Sequence, residues 1–322
     1  MLKYIMKRIA LMFVTLFIIM TMLFVLIRML PNQIPATQGG MDKALLEMRT
    51  AWGYDEPVMV QYGIFLKNIF TAWDWGFCTK MGAFLQPVTA YLVEKLPYTL
   101  YVNVFSMIIA VPLGIFFGII AAVNKNQWPD HIIQVFIMIF ISVPSYVVAF
   151  LLQYFIGFKL GWAPLVMSGG NHFFTWTMFH SAILPILSLA FAPIAGDMRL
   201  IRAELTETLT SEYMLLARTK GLTKRQATVR HAFRNSMVPL MPTFLADFIY
   251  VISGSLIIEQ IFAIPGIGKS FLDSILLRDY SVFMACAMFY VAISLVAGII
   301  TDMSYGLIDP RIRMGGNKNN EL

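Results

Sequence analysis

Long apolar runs separated by short polar stretches dominate this chain. The first apolar run extends from Ile9 to Leu30, and five more are predicted as spans at 98–123, 131–158, 180–198, 239–262 and 282–305. A helix of about 20 apolar residues crosses the hydrocarbon core of a bilayer. The runs are unbroken and do not alternate with polar residues as barrel strands do. The pattern therefore predicts an all-α integral membrane protein with about six transmembrane helices.

The N-terminus begins like a signal peptide but is predicted to remain in place. Lys3, Lys7 and Arg8 precede the first apolar run, as in a secretory leader. The run is longer than a typical leader core, and no cleavage site of small residues follows it. We therefore predict a retained first transmembrane helix, with residues 1–30 comprising a cytoplasmic N-terminus and that helix.

The region from 31 to 96 differs in composition from the rest. It carries charges of both signs and three tryptophans, Trp52, Trp73 and Trp75, and contains no apolar run long enough to cross a bilayer. We predict a small folded extracytoplasmic lobe. The remaining predicted regions are a permease core at 97–308, which includes a polar segment at 199–234, and a cytoplasmic tail at 309–322.

Composition and charge agree with the membrane class and give an orientation. Hydrophobic residues make up 58% of the chain and charged residues 13%, and the mean hydropathy is +0.72, whereas soluble domains carry about 25% charged residues. The net charge of +6 does not indicate nucleic-acid binding, because the basic residues lie between the spans. Lysine and arginine concentrate in 199–234 and at both ends, which the positive-inside rule places in the cytoplasm.

The sequence shows no pattern typical of a metal or ATP site. The two cysteines form no CxxC pair, and the four histidines are scattered. The stretch from Gly266 to Ser270 resembles the end of a phosphate-binding loop, but Ala263 stands where that motif requires glycine. We therefore expect no metal ion and no cofactor on this chain.

The polar segment 199–234 carries the clearest local signals. Ser211 is a suitable N-cap for a short helix, Gly221 is a suitable residue to end it, and Thr223 is a suitable N-cap for a second helix. Two short helices joined at a glycine form a docking surface. The alternative is an ordinary solvated loop with a charged face.

This segment and other motifs resemble binding-protein-dependent ABC transporter permeases. The stretch 212–222 and the following Arg-His-Ala-Phe-Arg-Asn at 230–235 are similar to the coupling loop of the oligopeptide and dipeptide branch. Other strings typical of that branch follow in order along the chain, and they are Trp73-Asp74-Trp75-Gly76, Leu96-Pro97-Tyr98-Thr99-Leu100, Pro112-Leu113-Gly114, Ser142-Val143-Pro144-Ser145, Leu160-Gly161-Trp162-Ala163-Pro164, Glu259–Gly268 and Asp309-Pro310-Arg311-Ile312-Arg313. The N-terminal span, the long outer lobe and the final motif resemble the B-type permease subunit.

The resemblance implies a function and a set of partners. It implies alternating-access import of di- and oligopeptides across the cytoplasmic membrane, with no catalytic residue on this chain. The implied partners are a C-type sister permease, two ATPase subunits that bind ATP and magnesium, and an extracytoplasmic substrate-binding protein. A coupling helix near 211–221 is implied to contact an ATPase through Glu212, Tyr213, Ala217, Arg218, Lys220, Gly221 and Leu222.

The chain also departs from the family pattern. Leu215, Leu216 and Ala217 stand where the wider family has Glu-Ala-Ala, as is usual in the peptide branch. Asp247 lies in an apolar run where the branch has a small or apolar residue. Because an ionisable residue inside a span usually faces a protein interior or an aqueous path, we expect Asp247 to line the solute path and contact a cationic group; a structural, hydrogen-bonded role is the alternative.

Three other functions remain as alternatives. A permease of the same branch could carry nickel or another small solute, although few histidines lie along the spans. An intramembrane protease would need a nucleophile and base on facing spans; Ser253 and Ser255 lie in a span, but only His180 could reach inward. A receptor or structural protein would lack an ATPase partner.

Overall fold

The computed structural model describes residues 2–30, 43–170 and 172–308, and these residues are mainly helical. Among them, four helices are long and apolar enough to cross a membrane: α1 (Leu2–Met29), α4 (Val88–Val123), α7 (Trp176–Leu209) and α14 (Tyr280–Ile308). The shorter helices are α2 (Lys43–Ala51), α3 (Val58–Ala72), α5 (Trp128–Ser142), α6 (Ser145–Leu152), α8 (Glu212–Thr219), α9 (Lys224–Ala227), α10 (Arg234–Met237), α11 (Met241–Tyr250), α12 (Leu256–Ile261) and α13 (Ile267–Leu277). The predicted all-α membrane class is confirmed.

The predicted third span is a bent pair of helices. α5 ends at Ser142, and α6 with its π-helical extension to Lys159 continues at an angle of 100°. Pro144 is the N-cap of α6, where its ring does not clash with a preceding turn. The described chain thus has four candidate spans, or five when this bent pair is taken as one.

The prediction of one continuous span at 239–262 is wrong. The chain there forms α11, a 3-10 turn at Val251–Ser253 and α12. Gly254 lies between the two helices with a φ of 67°, a left-handed conformation that glycine adopts without strain. Neither helix alone is long enough to cross a bilayer.

Two further boundaries differ from the prediction. The span predicted at 98–123 begins earlier, because α4 starts at Val88 and includes Pro97. The stretch between the predicted spans 239–262 and 282–305 contains the helix α13. The tail motif from Asp309 to Arg313 and part of the predicted lobe, residues 31–42, lie outside the described residues.

The chain divides into two compact units. The first comprises residues up to Thr99 together with Ser253–Leu256 and Pro265–Leu295, and the second comprises Leu100–Ile252, Ile257–Ile264 and residues from Val296. In the first unit, α1, α3 and part of α14 pack around a core that contains Phe24, Phe65 and Met284. Only 11% of the most apolar stretch of α1 is buried, which leaves that helix an extensive surface suited to lipid.

A buried carboxylate fixes a loop in this first unit. Asp279 is fully buried, and its Oδ2 accepts hydrogen bonds from the backbone N–H groups of Thr79, Lys80 and Met81 at 2.8, 2.8 and 3.1 Å. Three N–H donors stabilise a carboxylate that is buried. The turn before α14 and the loop before α4 are therefore held together.

In the second unit, helices pack around α7. Ile133 and Ile137 of α5 lie in one buried cluster with Ile194 of α7. A neighbouring cluster joins Ile201 of α7 to Phe244 of α11. Both clusters include residues of α7, so α5 and α11 each pack against this helix.

Candidate functional site

The segment predicted as a coupling loop contains a helix with a well-defined end. α8 stops at Thr219, and the N–H of Gly221 donates to the oxygen of Arg218 while the N–H of Leu222 donates to that of Ala217, at 3.0 and 3.3 Å. These two bonds form a Schellman motif. Gly221 has a φ of 87°, so the predicted glycine stop is confirmed.

The helix start differs in detail from the prediction. Ser211 occupies the N-cap position with extended backbone, but its side chain accepts no bond from α8. Its hydroxyl instead donates to the oxygen of Thr208 at 2.6 Å. The serine therefore shapes the junction between α7 and α8 rather than satisfying the first turn of α8.

The second predicted helix also begins where expected. The Thr223 hydroxyl accepts from the N–H of Gln226 at 3.3 Å, and the Gln226 side chain accepts from the N–H of Thr223 at 3.1 Å. This reciprocal pair is a capping box. The helix α9 continues as a π-helix at Thr228–Phe233 and then as α10, so 212–237 forms two helical arms joined at Gly221.

The two faces of α8 have different roles in the structure. Met214 and Ala217 are buried in a cluster with Leu205 of α7, and Leu222 packs against the same cluster. Among the predicted coupling residues, Ala217 and Leu222 thus anchor the helix. The others are exposed, namely Glu212, Tyr213, Arg218, Lys220 and Gly221.

The exposed face of α8 includes large apolar side chains. Tyr213 is 40% exposed and Leu216 is 55% exposed. They are three residues apart, so they lie side by side on the helix surface. Apolar groups flanked by exposed charge on a short helix fit contact with another protein better than they fit permanent exposure to water.

A buried ion pair fixes the part of α7 that leads into this segment. Asp130 in the first turn of α5 is fully buried and accepts from Arg202 Nε and Nη2 at 2.5 and 2.8 Å. The N–H of Asn126 also donates to this carboxylate, at 2.9 Å. A bidentate contact between arginine and a carboxylate fixes the relative orientation of the two side chains as well as their distance. α7 is therefore held to the start of α5 less than three turns before α8 begins.

Asp247, the predicted path residue, lies on α11 and is exposed on the isolated chain. A second carboxylate, that of Asp197, lies on α7, one turn before Ile201, which shares a buried cluster with Phe244 of α11. Asp197 is only 4% exposed. The structure thus brings Asp247 together with an acidic residue that the sequence reading did not select.

Comparison with known proteins identifies the family. A family profile described as "Binding-protein-dependent transport system inner membrane component" matches residues 114–314, and its N-terminal companion matches residues 1–103. The chain belongs to this family. The resemblance stated from the motifs is therefore confirmed, and the protein is a permease.

Relatives of this permease match along almost its whole length. The dipeptide transport system permease protein DppB of Lactococcus lactis subsp. cremoris (strain MG1363) is 36% identical over 315 residues, 98% of this chain and 100% of that protein. DppB of Bacillus subtilis (strain 168) is 33% identical, over 97% of this chain and 98% of its own length. The glutathione transport system permease protein GsiC of Escherichia coli (strain K12) is 31% identical, over 97% and 99%.

Several features of the permease were not predicted from the sequence, although two of them have a recognisable sequence signal. Asp197 is an acidic residue within a largely apolar stretch, which is the same signal that selected Asp247. Gly114 and Gly118 are four residues apart, a spacing that allows close approach of two membrane helices. The pairing of Asp130 with Arg202 has no sequence signal, because 72 residues separate the partners.

Proposed function

We propose that this permease is the B-type subunit of an ATP-driven importer of di- and oligopeptides. The observation that carries the proposal is the match, over nearly the full length, to permeases whose names specify dipeptide and glutathione transport. The solutes in those names share a peptide backbone. Nickel transport, the alternative from the sequence, has no support among these relatives, and no cluster of three metal-ligating side chains occurs in the described residues.

The partners follow from what a permease of this family needs. The chain pairs with a C-type sister permease, and two ATPase subunits bind ATP and magnesium and supply the energy. An extracytoplasmic binding protein delivers the peptide. Both termini and the segment 199–234 face the cytoplasm, as the distribution of lysine and arginine supports.

The helix α8 contacts an ATPase subunit through its exposed face. Tyr213 and Leu216 supply apolar contact, and Glu212, Arg218 and Lys220 surround it with charge. The buried anchors Met214 and Ala217 transmit movement of α8 to α7, because a packed core shifts as a unit and does not deform gradually. Closure of the ATPase dimer thereby changes the packing of the spans.

The solute path includes Asp247. This residue is exposed on the isolated chain, in a segment that is otherwise largely apolar. An ionised group facing lipid would cost about 3 kcal/mol on insertion scales, so Asp247 faces protein or water in the assembled transporter. There it contacts a cationic group of the solute, such as a peptide amino terminus.

An uptake measurement tests the proposed function. The complete transporter, with both permeases, both ATPases and the binding protein, is reconstituted in vesicles and supplied with radiolabelled trialanine or with ⁶³Ni²⁺. ATP-dependent accumulation of trialanine, absent when this chain is omitted, is the expected result. Accumulation of nickel without peptide would support the alternative and contradict the proposal.

A further inference from the structure

Asp197 of α7 and Asp247 of α11 are placed near the same helix contact because α7 packs against α11. Ile201 of α7 and Phe244 of α11 share a buried cluster. Asp197 lies one turn before Ile201, and Asp247 lies one turn after Phe244. Residues three or four apart share a helix face, so both acids are on the contacting faces of their helices. The interaction between their charges agrees with this placement.

A third helix, α4, packs closely against α7 at Asp197. A Cβ at Gly114 of α4 would lie 2.4 Å from the Asp197 Cβ, and one at Gly118 would lie 2.9 Å from the Ile201 Cβ. The absence of side chains at these two positions lets α4 approach the backbone of α7 closely. The backbone of α4 therefore covers one side of Asp197.

No group of the described protein neutralises Asp197. It has no hydrogen bond or ion pair among the described residues, although it is only 4% exposed. Arg202, a basic residue of the same helix, is bound to Asp130. A buried carboxylate without a partner is unfavourable, and a second carboxylate nearby increases the repulsion. Such a pair is suited to an external cation.

We propose that Asp197 and Asp247 together bind the ammonium group of the translocated solute. This inference rests on the proposed function and adds Asp197 as a second binding residue. An ammonium has three N–H donors, so it can donate to both carboxylates at once. A divalent metal is a poorer fit, because Mg²⁺ and Ca²⁺ are usually held by more oxygen ligands, and no third acidic, histidine or cysteine ligand joins the pair in the described part of the chain.

The test uses charge-removing variants in the complete reconstituted transporter. Asp197→Asn, Asp247→Asn and the double variant are compared with Glu207→Gln, a control at an exposed position of α7 outside the site. Uptake of trialanine and of N-acetyl-trialanine is measured with saturating binding protein. We expect each single variant to lower trialanine uptake about tenfold, since hydrogen bonds to charged groups are among the stronger ones.

The pattern across variants distinguishes shared binding from separate roles. Because one ammonium binds both carboxylates, the double variant should transport little worse than either single variant. The rate with N-acetyl-trialanine, which lacks the charge, should stay at its wild-type value. Wild-type uptake of trialanine by Asp197→Asn would overturn the inference. A loss of uptake in the double variant equal to the product of the two single losses would overturn it as well.

A second variant covers the case in which Asp197→Asn fails to assemble. Asp247→Lys places a tethered ammonium beside Asp197 from an exposed position. We expect this variant to block uptake and to melt at a higher temperature than Asp247→Asn, because the lysine satisfies the buried carboxylate. Equal melting temperatures would overturn the inference. Failure of wild-type vesicles to take up any peptide would contradict the proposed function instead.

Discussion

A single backbone angle sets the direction in which the chain leaves α8. Gly221 has a φ of 87°, and a Cβ built there would meet no atom within 4 Å. Space is therefore available for a side chain, and only the left-handed backbone restricts the residue type. For L-residues other than glycine, that conformation costs about 1–2 kcal/mol, with asparagine among those that tolerate it best.

We predict that Gly221→Val uncouples transport. A β-branched residue resists the left-handed conformation, so the Schellman bonds at the end of α8 should weaken and the two arms should change their relative direction. Peptide uptake should fall at least several-fold while nucleotide binding by the ATPase subunits is unchanged.

Gly221→Asn is the matched control for this prediction, because it adds a side chain of similar size but tolerates the angle. It should retain most of the uptake. Normal transport by the valine variant would show that this turn does not couple ATP hydrolysis to the spans.

The residues that sequence reasoning located correctly are those whose role is local. Gly221 and Thr223 act on backbone groups within a few positions, so their types and spacing are sufficient to predict them. The surroundings of Asp197 are set instead by Gly114 of α4 and by the packing of α11 against α7, and both of these helices are distant from Asp197 along the chain. Such a site depends on which helices pack together, and a single sequence does not contain that information in readable form.

At the scale of helices, two glycines of α4 decide how closely it approaches α7. A Cβ at Gly118 would lie 2.9 Å from the Cβ of Ile201 and 3.2 Å from the backbone oxygen of Met198. Neither atom belongs to the flexible end of a side chain. Relief of the contact therefore requires one helix to move.

We predict that Gly118→Ala destabilises the permease by about 1–3 kcal/mol, the usual cost of overpacking. The purified chain in detergent should lose tertiary structure at a lower temperature than the wild type, as measured by thermal unfolding. Gly298→Ala in α14 is the control, because a Cβ there meets nothing within 4 Å.

The control should be neutral or slightly stabilising, since alanine favours helix over glycine. Equal melting temperatures for Gly118→Ala and Gly298→Ala would show that α4 and α7 are not packed as closely as described.

The apolar runs in the sequence predicted the approximate positions of the helices, but they did not predict where a helix is interrupted. Pro112 lies within α4, whereas Val143 and Pro144 separate α5 from α6, and both prolines occur in similarly apolar sequence. Whether proline is accommodated depends on the packing around the freed backbone carbonyl, which a neighbouring helix can satisfy. The interruption near Gly254 is likewise decided by tertiary structure.

At the scale of the whole molecule, composition alone was enough to predict the class. With 58% hydrophobic residues and four helices long enough to cross a bilayer in the described chain, only a membrane environment leaves so many apolar side chains favourably placed. Composition does not indicate in which direction the chain is inserted into the membrane. That direction determines whether α8 can reach an ATPase, so the proposed mechanism depends on it.

The distribution of basic residues predicts that 199–234 is cytoplasmic and that the region before α4 is extracytoplasmic. Lys224→Cys and Lys67→Cys place thiols at exposed positions of the two regions. A membrane-impermeant maleimide added to intact cells should label the cysteine at 67 and leave that at 224 unlabelled. Both should react once the cells are permeabilised.

The wild-type chain serves as the blank for this labelling, because its own cysteines should not react. Cys78 and Cys286 are both fully buried, and burial raises the pKa of the Cys78 thiol to about 12. The reactive thiolate is therefore scarce at neutral pH. Labelling at 224 in intact cells, with the wild type blank, would place α8 on the outer side and exclude contact with an ATPase. The absence of labelling there, with labelling at 67, would leave α8 in the compartment where ATP is hydrolysed, as coupling requires.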